Sequence, residues 1–214
     1  FNTSQVSNME CMFYECSSLE SLNVTFFITD KVNNMNYMFR SCSRLNKLDL
    51  SNFITTQVRG MEGMFKYCSS LEYLNLSNFK TNSAIDMSYM FYYCNSLNYI
   101  DLSNANTNNV HQMNNMFEYC INLQNLYIDK FEVSKVTKME YMFKDCQSIK
   151  FLNLSHFVTS GLSYMYQMFD SCISLEEIDI SNFVTSKIRN LNAIFYNCKS
   201  LKSFRASAPH LRDR

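Results

Sequence analysis

The residues in this chain best suited to chemistry are its nine cysteines and three histidines, and their spacing argues against chemistry. Eight of the cysteines fall at a fixed interval of 26 residues: Cys16, Cys42, Cys68, Cys94, Cys120, Cys146, Cys172 and Cys198. A zinc site draws on local pairs such as C-x₂-C, and none is present. A disulfide needs a particular dihedral geometry that regular stacking does not supply. Free cysteine is among the most buried residue types, so the interval predicts a structural ladder of core thiols. Cys11 stands apart. It occupies a position filled elsewhere by Tyr37, Tyr89 and Tyr141, and it is the best candidate for a reactive thiol, the alternative being a structural role. His111, His156 and His210 fall at three unrelated places in the 26-residue unit. There is no Gly-rich phosphate loop, no H-E-x-x-H and no nucleophile elbow. The sequence therefore predicts a protein without catalytic residues, cofactor or metal.

What positions the cysteines is a repeat that runs the length of the chain. The unit reads M-x-x-M-F-x-x-C-x-x-L-x-x-L-x-L-S-N-F-x-T-x-x-V-x-x, with copies starting at Met9, Met35, Met61, Met87, Met113, Met139, Met165 and Leu191. Phe1 to Asn8 match the second half of a unit, which suggests a piece of a longer array. The last copy departs from the pattern at Phe204-Arg-Ala206, and residues 207–214 are polar and non-repetitive, as an end cap would be. With 3 Gly and 1 Pro there is no linker composition, so residues 1–206 are expected to form one repeat domain. The 19 basic and 19 acidic residues cancel, so no net field recruits nucleic acid or an anionic membrane surface. No apolar run approaches the length of a transmembrane helix, and no direct membrane insertion is expected.

Within a unit two periods alternate. Val58, Met61, Met64, Phe65 and Cys68 are spaced as one face of a helix. Leu71, Leu74 and Leu76 end in a period of two, which reads as a short strand. Thr3, Thr29, Thr55, Thr81, Thr107, Thr159 and Thr185 precede the Val by three residues and are read as helix N-caps. A unit of this size cannot bury its apolar face alone, and stacking in register does so. The expected fold is α/β: a leucine-rich-repeat-like right-handed solenoid of about eight repeats, with one short parallel strand and one helix in each.

The run Met35-Asn-Tyr-Met-Phe-Arg-Ser-Cys-Ser-Arg-Leu-Asn-Lys-Leu-Asp-Leu-Ser-Asn-Phe-Ile-Thr55 resembles the BspA-like leucine-rich repeat family in its 26-residue form, the DUF285 or Mycoplasma-lipoprotein-type repeat. The resemblance extends over residues 1–206. It implies a solenoid, a cell-surface or secreted location, a role in adhesion or recognition, and no catalytic residues.

Specificity has to reside where the repeat varies. Outward strand positions form two columns, and Tyr73, Tyr99, Tyr127 and Phe151 gather in them over the middle strands. Exposed aromatics near the centre of a sheet face suit a binding surface for a protein or glycan; the alternative is that they only pair with one another. Asp49, Asp101 and Asp179 are never stacked on another Asp, which avoids like-charge repulsion and argues against calcium. Tyr67, Tyr93 and Tyr119 form a secondary aromatic stripe beside Tyr37, Tyr89 and Tyr141, either packing between neighbouring helices or recognising a ligand. A second functional reading is a structural spacer or scaffold with end-to-end self-association. A third is intracellular, because nine cysteines without a pairing plan suit a reducing compartment.

Overall fold

The computed structural model describes residues 2–207. Seven short parallel strands lie in chain order: β1 (Lys47–Asp49), β2 (Tyr73–Asn75), β3 (Tyr99–Asp101), β4 (Asn125–Tyr127), β5 (Phe151–Asn153), β6 (Glu177–Ile180) and β7 (Ser203–Ala206). Each is displaced 26 residues from the last, and where neighbours pair they do so without slippage, as in Lys47 opposite Tyr73 and Ile178 opposite Phe204. The result is a parallel β-solenoid of about six turns. The strands do not form one continuous sheet. They divide into β1-β2, β3-β4 and β5-β6-β7.

The expected helix is absent: among the described residues no helix forms. The reason is visible in the backbone. Two residues per turn adopt the left-handed conformation, one at the third position of the unit (Cys11, Tyr37, Gly63, Tyr89, Asn115, Tyr141, Gln167, Ala193) and one just before the cysteine (Glu15, Ser41, Tyr67, Tyr93, Tyr119, Asp145, Ser171, Asn197). A right-handed helix cannot pass through such residues. They redirect alternate N–H groups along the solenoid axis. Met35, Tyr37, Phe39 and Ser41 donate to the carbonyls of Gly60, Glu62, Met64 and Lys66 on the next turn, while Met38, Arg40 and Cys42 donate back three residues within their own turn. The i, i+3, i+4 spacing of apolar residues is thus the signature of consecutive tight turns as well as of a helix.

Stacking in register turns every apolar position into a ladder. Phe13, Phe39, Phe65, Phe91, Phe117, Phe143, Phe169 and Phe195 stack near-parallel, with ring centroids 5.4–5.8 Å apart. Each fully buried ring contributes about 1.5–3 kcal/mol of transfer free energy. The threonines are not helix caps. Thr107 accepts from the Glu132 amide at 2.7 Å and donates to the Glu132 carbonyl at 2.8 Å, and Thr29 treats Ile54 the same way. One buried hydroxyl therefore satisfies both backbone groups of a residue on the next turn. The Asn of the S-N-F motif reaches the other way: Asn104 Nδ2 donates to the Ser77 carbonyl at 2.9 Å.

The count of about eight repeats contracts at the N-terminal end. The first unit contributes no strand, only isolated bridges from Ser21 to Lys47 and from Asn34 to Asn8 and Gly60. At the other end, Phe204-Arg-Ala206 does pair as β7 despite its departure from the consensus. Residues 208–214 of the polar tail, with His210, lie outside the described residues.

Candidate recognition surface

Strand geometry sets which residues can meet a ligand. The middle residue of each strand faces the core, and the flanking two face out. Tyr73, Tyr99, Tyr127 and Phe151 all point outward, with 51%, 46%, 43% and 63% of their surface exposed. Tyr99 and Tyr127 are neighbours on paired strands, with centroids 5.5 Å apart and planes tilted by 50°. Among the described residues Tyr73 and Phe151 have no ring partner. A recess of about 610 Å³ opens beside Tyr127 and Phe151, lined also by Gln124, Asn125, Ser148 and Lys150.

The aspartates on this face have a local structural task beyond charge avoidance. The side chains of Asp49, Asp101 and Asp179 accept from the backbone N–H of Ser51, Ser103 and Ser181 at 2.9 Å, and Asn75 and Asn153 do the same for Ser77 and Ser155. These Asx turns bend the chain out of each strand. The serine amide and hydroxyl hold the three carboxyls below the usual carboxylate range.

The face made by the tight turns differs. Tyr67, Tyr93 and Tyr119 form one packed group, with Tyr67–Tyr93 and Tyr93–Tyr119 centroids 5.6 and 5.2 Å apart. Tyr92 sits in the middle of it, against Tyr67, Tyr89 and Tyr119. The repeat unit leaves that position unspecified, so inspection of its fixed columns passed over Tyr92. The Lys66 ammonium lies 4.0 Å from the Tyr89 ring centroid and 4.8 Å from that of Tyr92, a cation–π arrangement within the group. The secondary stripe therefore spends its aromatic faces internally. Glu118, only 6% exposed, lies beneath. It accepts a hydrogen bond from Asn115, and burial raises its pKa against the opposing pull of Asn115 and Lys144.

The thiol column is buried from Cys42 to Cys172, half-buried at Cys198 and exposed at Cys16. Each thiol from Cys42 onward donates to the carbonyl of the phenylalanine 29 residues earlier, at 3.0–3.1 Å. Burial pushes Cys42 and Cys198 up to about 11 and Cys120 to about 12. Cys11 is exposed, but desolvation and the Glu10 carboxylate raise its pKa too, which disfavours the nucleophilic thiolate. His156 takes the place of the S-N-F asparagine and contacts the Ile128 carbonyl through Nε2 at 3.0 Å, while His111 lies on the Asn109 carbonyl. Among the described residues no group of three or more His, Cys, Asp or Glu side chains could hold a metal, and no helix is long and apolar enough to cross a membrane.

A stack of 26-residue turns with an outward-facing strand row defines a parallel β-solenoid of the leucine-rich-repeat type. A leucine-rich repeat protein from Treponema pallidum shares this fold, with TM-score 0.53, 18% identity, and 86% of this chain matched to 77% of that one. A leucine-rich repeat protein from Bacteroides ovatus aligns with TM-score 0.48 and 18% identity over 95% of this chain, which spans 59% of its length. A leucine-rich cell surface protein from Faecalibacterium prausnitzii aligns with TM-score 0.37 and 17% identity over 94% of this chain and 76% of its own. No curated protein sequence matches. The family profile described as "Mycoplasma protein of unknown function, DUF285" matches residues 1–103 and 86–207, and the chain belongs to that family. Leucine-rich repeat proteins are generally protein-interaction modules and typically non-catalytic.

Proposed function

We propose that this chain is a non-catalytic recognition and adhesion module that binds a protein or glycan through its strand face. The observation that carries the reading is the contrast in aromatic exposure. The Phe ladder is buried from Phe39 to Phe169, and Tyr67, Tyr92, Tyr93 and Tyr119 pack on one another, whereas Tyr73 and Phe151 stand out from the middle of the solenoid without a ring partner among the described residues and Tyr99 and Tyr127 stand out as an exposed pair. Exposed rings near the centre of a surface, backed by a rigid scaffold, are the usual anchors of a binding face. A cell-surface or secreted location follows from the family resemblance. Replacing Tyr73 and Tyr99 together by Ala tests the site: binding of the labelled chain to extracellular matrix should fall while Tm holds. Unchanged binding would remove this face from consideration.

A scaffold role with end-to-end association is the second reading. It fits the balance of 19 basic and 19 acidic residues, which leaves no net repulsion between copies. Light scattering decides it: growth with concentration supports the scaffold, and a constant monomer mass excludes it. Thiol titration with and without denaturant tests the buried Cys column. Reduced, denaturant-dependent thiols across the ladder fit either location, and oxidised ones would contradict the packing of the Cys column.

A further inference from the structure

The strand face is interrupted at two places, and the four exposed aromatics border them. Tyr73 and Tyr99 stand on either side of the break between β2 and β3, and Tyr127 and Phe151 on either side of the break between β4 and β5. At an intact junction the residue before the strand and the first strand residue both donate to one carbonyl. Glu72 and Tyr73 donate to Asn46 at 2.9 and 3.2 Å, and Gln124 and Asn125 to Asn98 at 3.0 and 3.1 Å. At the breaks these bonds are missing among the described residues. The amides of Asn98 and Tyr99 do not reach the Glu72 carbonyl, nor those of Lys150 and Phe151 the Gln124 carbonyl. The far end repeats the difference: Leu50, Leu102 and Leu154 donate to the next turn, and Leu76 and Ile128 do not. The middle residues Leu74 and Leu126 are correspondingly only partly buried, where Leu48, Ile100 and Leu152 are buried.

Each break therefore presents open backbone donors and an open acceptor between two exposed rings. These groups belong to exposed residues and face water, so a ligand that supplies partners exchanges hydration for direct hydrogen bonds with a modest gain at each. We propose that the two breaks are successive subsites for one extended oligosaccharide lying along the solenoid axis. Hydroxyls would pair with the open amides and carbonyl, and sugar rings would lay their C–H faces on Tyr99 and Phe151. This deepens the strand-face reading and rests on it.

Two features favour a saccharide over a peptide. The recess beside Tyr127 and Phe151 is lined by amides, hydroxyls, Leu126 and aromatic rings with Lys150 as its single charge, which suits a polyol, and the one beside Tyr73 and Tyr99 adds the carboxylates of Glu72 and Asp101 as acceptors for hydroxyls. The breaks are two turns apart, at least roughly 9.6 Å at about 4.8 Å per paired strand, about the span of two linked sugars. An extended peptide repeats its side-chain faces every 6.6–6.8 Å or so and misses this spacing. A polyproline II peptide repeats at about 9.3 Å and fits it, but proline lacks the N–H needed by the open carbonyls of Glu72 and Gln124.

The test is calorimetric titration of the full chain with β-1,4-linked hexasaccharides of glucose, xylose and N-acetylglucosamine, with the matching disaccharides, and with a proline-rich decapeptide. We expect one hexasaccharide series to bind and its disaccharide to bind at least tenfold more weakly, since it fills one break. Phe151→Ala and Tyr99→Ala should each weaken the hexasaccharide at least tenfold without moving Tm, and Tyr119→Ala on the turn face should leave it unchanged. Failure of all three hexasaccharides, or binding indifferent to Phe151→Ala, overturns the proposal. Binding of the decapeptide in their place overturns it too, while leaving strand-face recognition intact.

Discussion

The turn face and the strand face come from the same 26 residues, yet they are finished differently. Along the turn face the axial backbone bonds run without interruption from Met9 to Asp145, the tyrosines lie on one another, and carboxylates such as Glu118 are buried. Along the strand face the ladder is broken twice, the rings are left to solvent, and the carboxylates sit in exposed Asx turns. The difference teaches that one repeat can carry a closed face and an open one. The closed face supplies rigidity, which leaves the open one at liberty to forgo local pairing.

That contrast can be broken hardest from within. Phe117 stacks between Phe91 and Phe143, and Phe117→Ala should cost about 3–5 kcal/mol, read as a shifted midpoint in urea. Both faces should loosen together, because the ring column lies beneath both. Removing one bridging hydroxyl is the next largest change. Thr107→Val leaves both backbone groups of Glu132 without that partner and should cost about 1–3 kcal/mol by the same measurement.

The two faces should also answer pH with opposite sign. Glu118 has a raised folded pKa, so its contribution to stability is full below its unfolded value and is lost as pH rises through the folded one. Asp49, Asp101 and Asp179 have lowered folded values, so theirs is present above the unfolded value and is lost as pH falls through the folded one. Glu118→Gln should therefore flatten the decline of Tm at rising pH and leave the acid limb as it was. A change confined to the acid limb would contradict the burial of Glu118. The smallest expected effect is the most telling for function. Phe151→Ala should alter stability by no more than about 0.5 kcal/mol, as at other exposed positions. A larger loss would mean that Phe151 belongs to the scaffold.

Much of this was legible in the sequence. The fixed interval gave the register, the solenoid and the identity of the stacked columns, because a ladder demands the same residue type at every turn. Secondary structure was less so. Met61, Met64, Phe65 and Cys68 are spaced alike for a helix and for a run of tight turns, and nothing in a side chain announces that Tyr67 takes a positive φ. The threonines misled for a related reason: a hydroxyl that satisfies an amide three residues on looks the same in sequence as one that satisfies an amide 25 residues on. The outward tyrosines were readable from strand alternation. The ladder breaks beside them were not, since Glu72 and Gln124 differ in no systematic way from Asn46 and Asn98, whose carbonyls are paired.

The identical register of every turn also sets how this protein can change in length. A crossover between misaligned copies adds or removes whole multiples of 26 codons. It returns each phenylalanine to the stack of another and each thiol to the carbonyl of another, so the product needs no new interface. Any other insertion would slide Met, Phe and Cys out of their columns along the entire downstream chain unless it were looped out. Inheritance can therefore lengthen or shorten the array in steps of whole turns, and only a step that falls between Tyr99 and Phe151 changes how many turns separate those two rings.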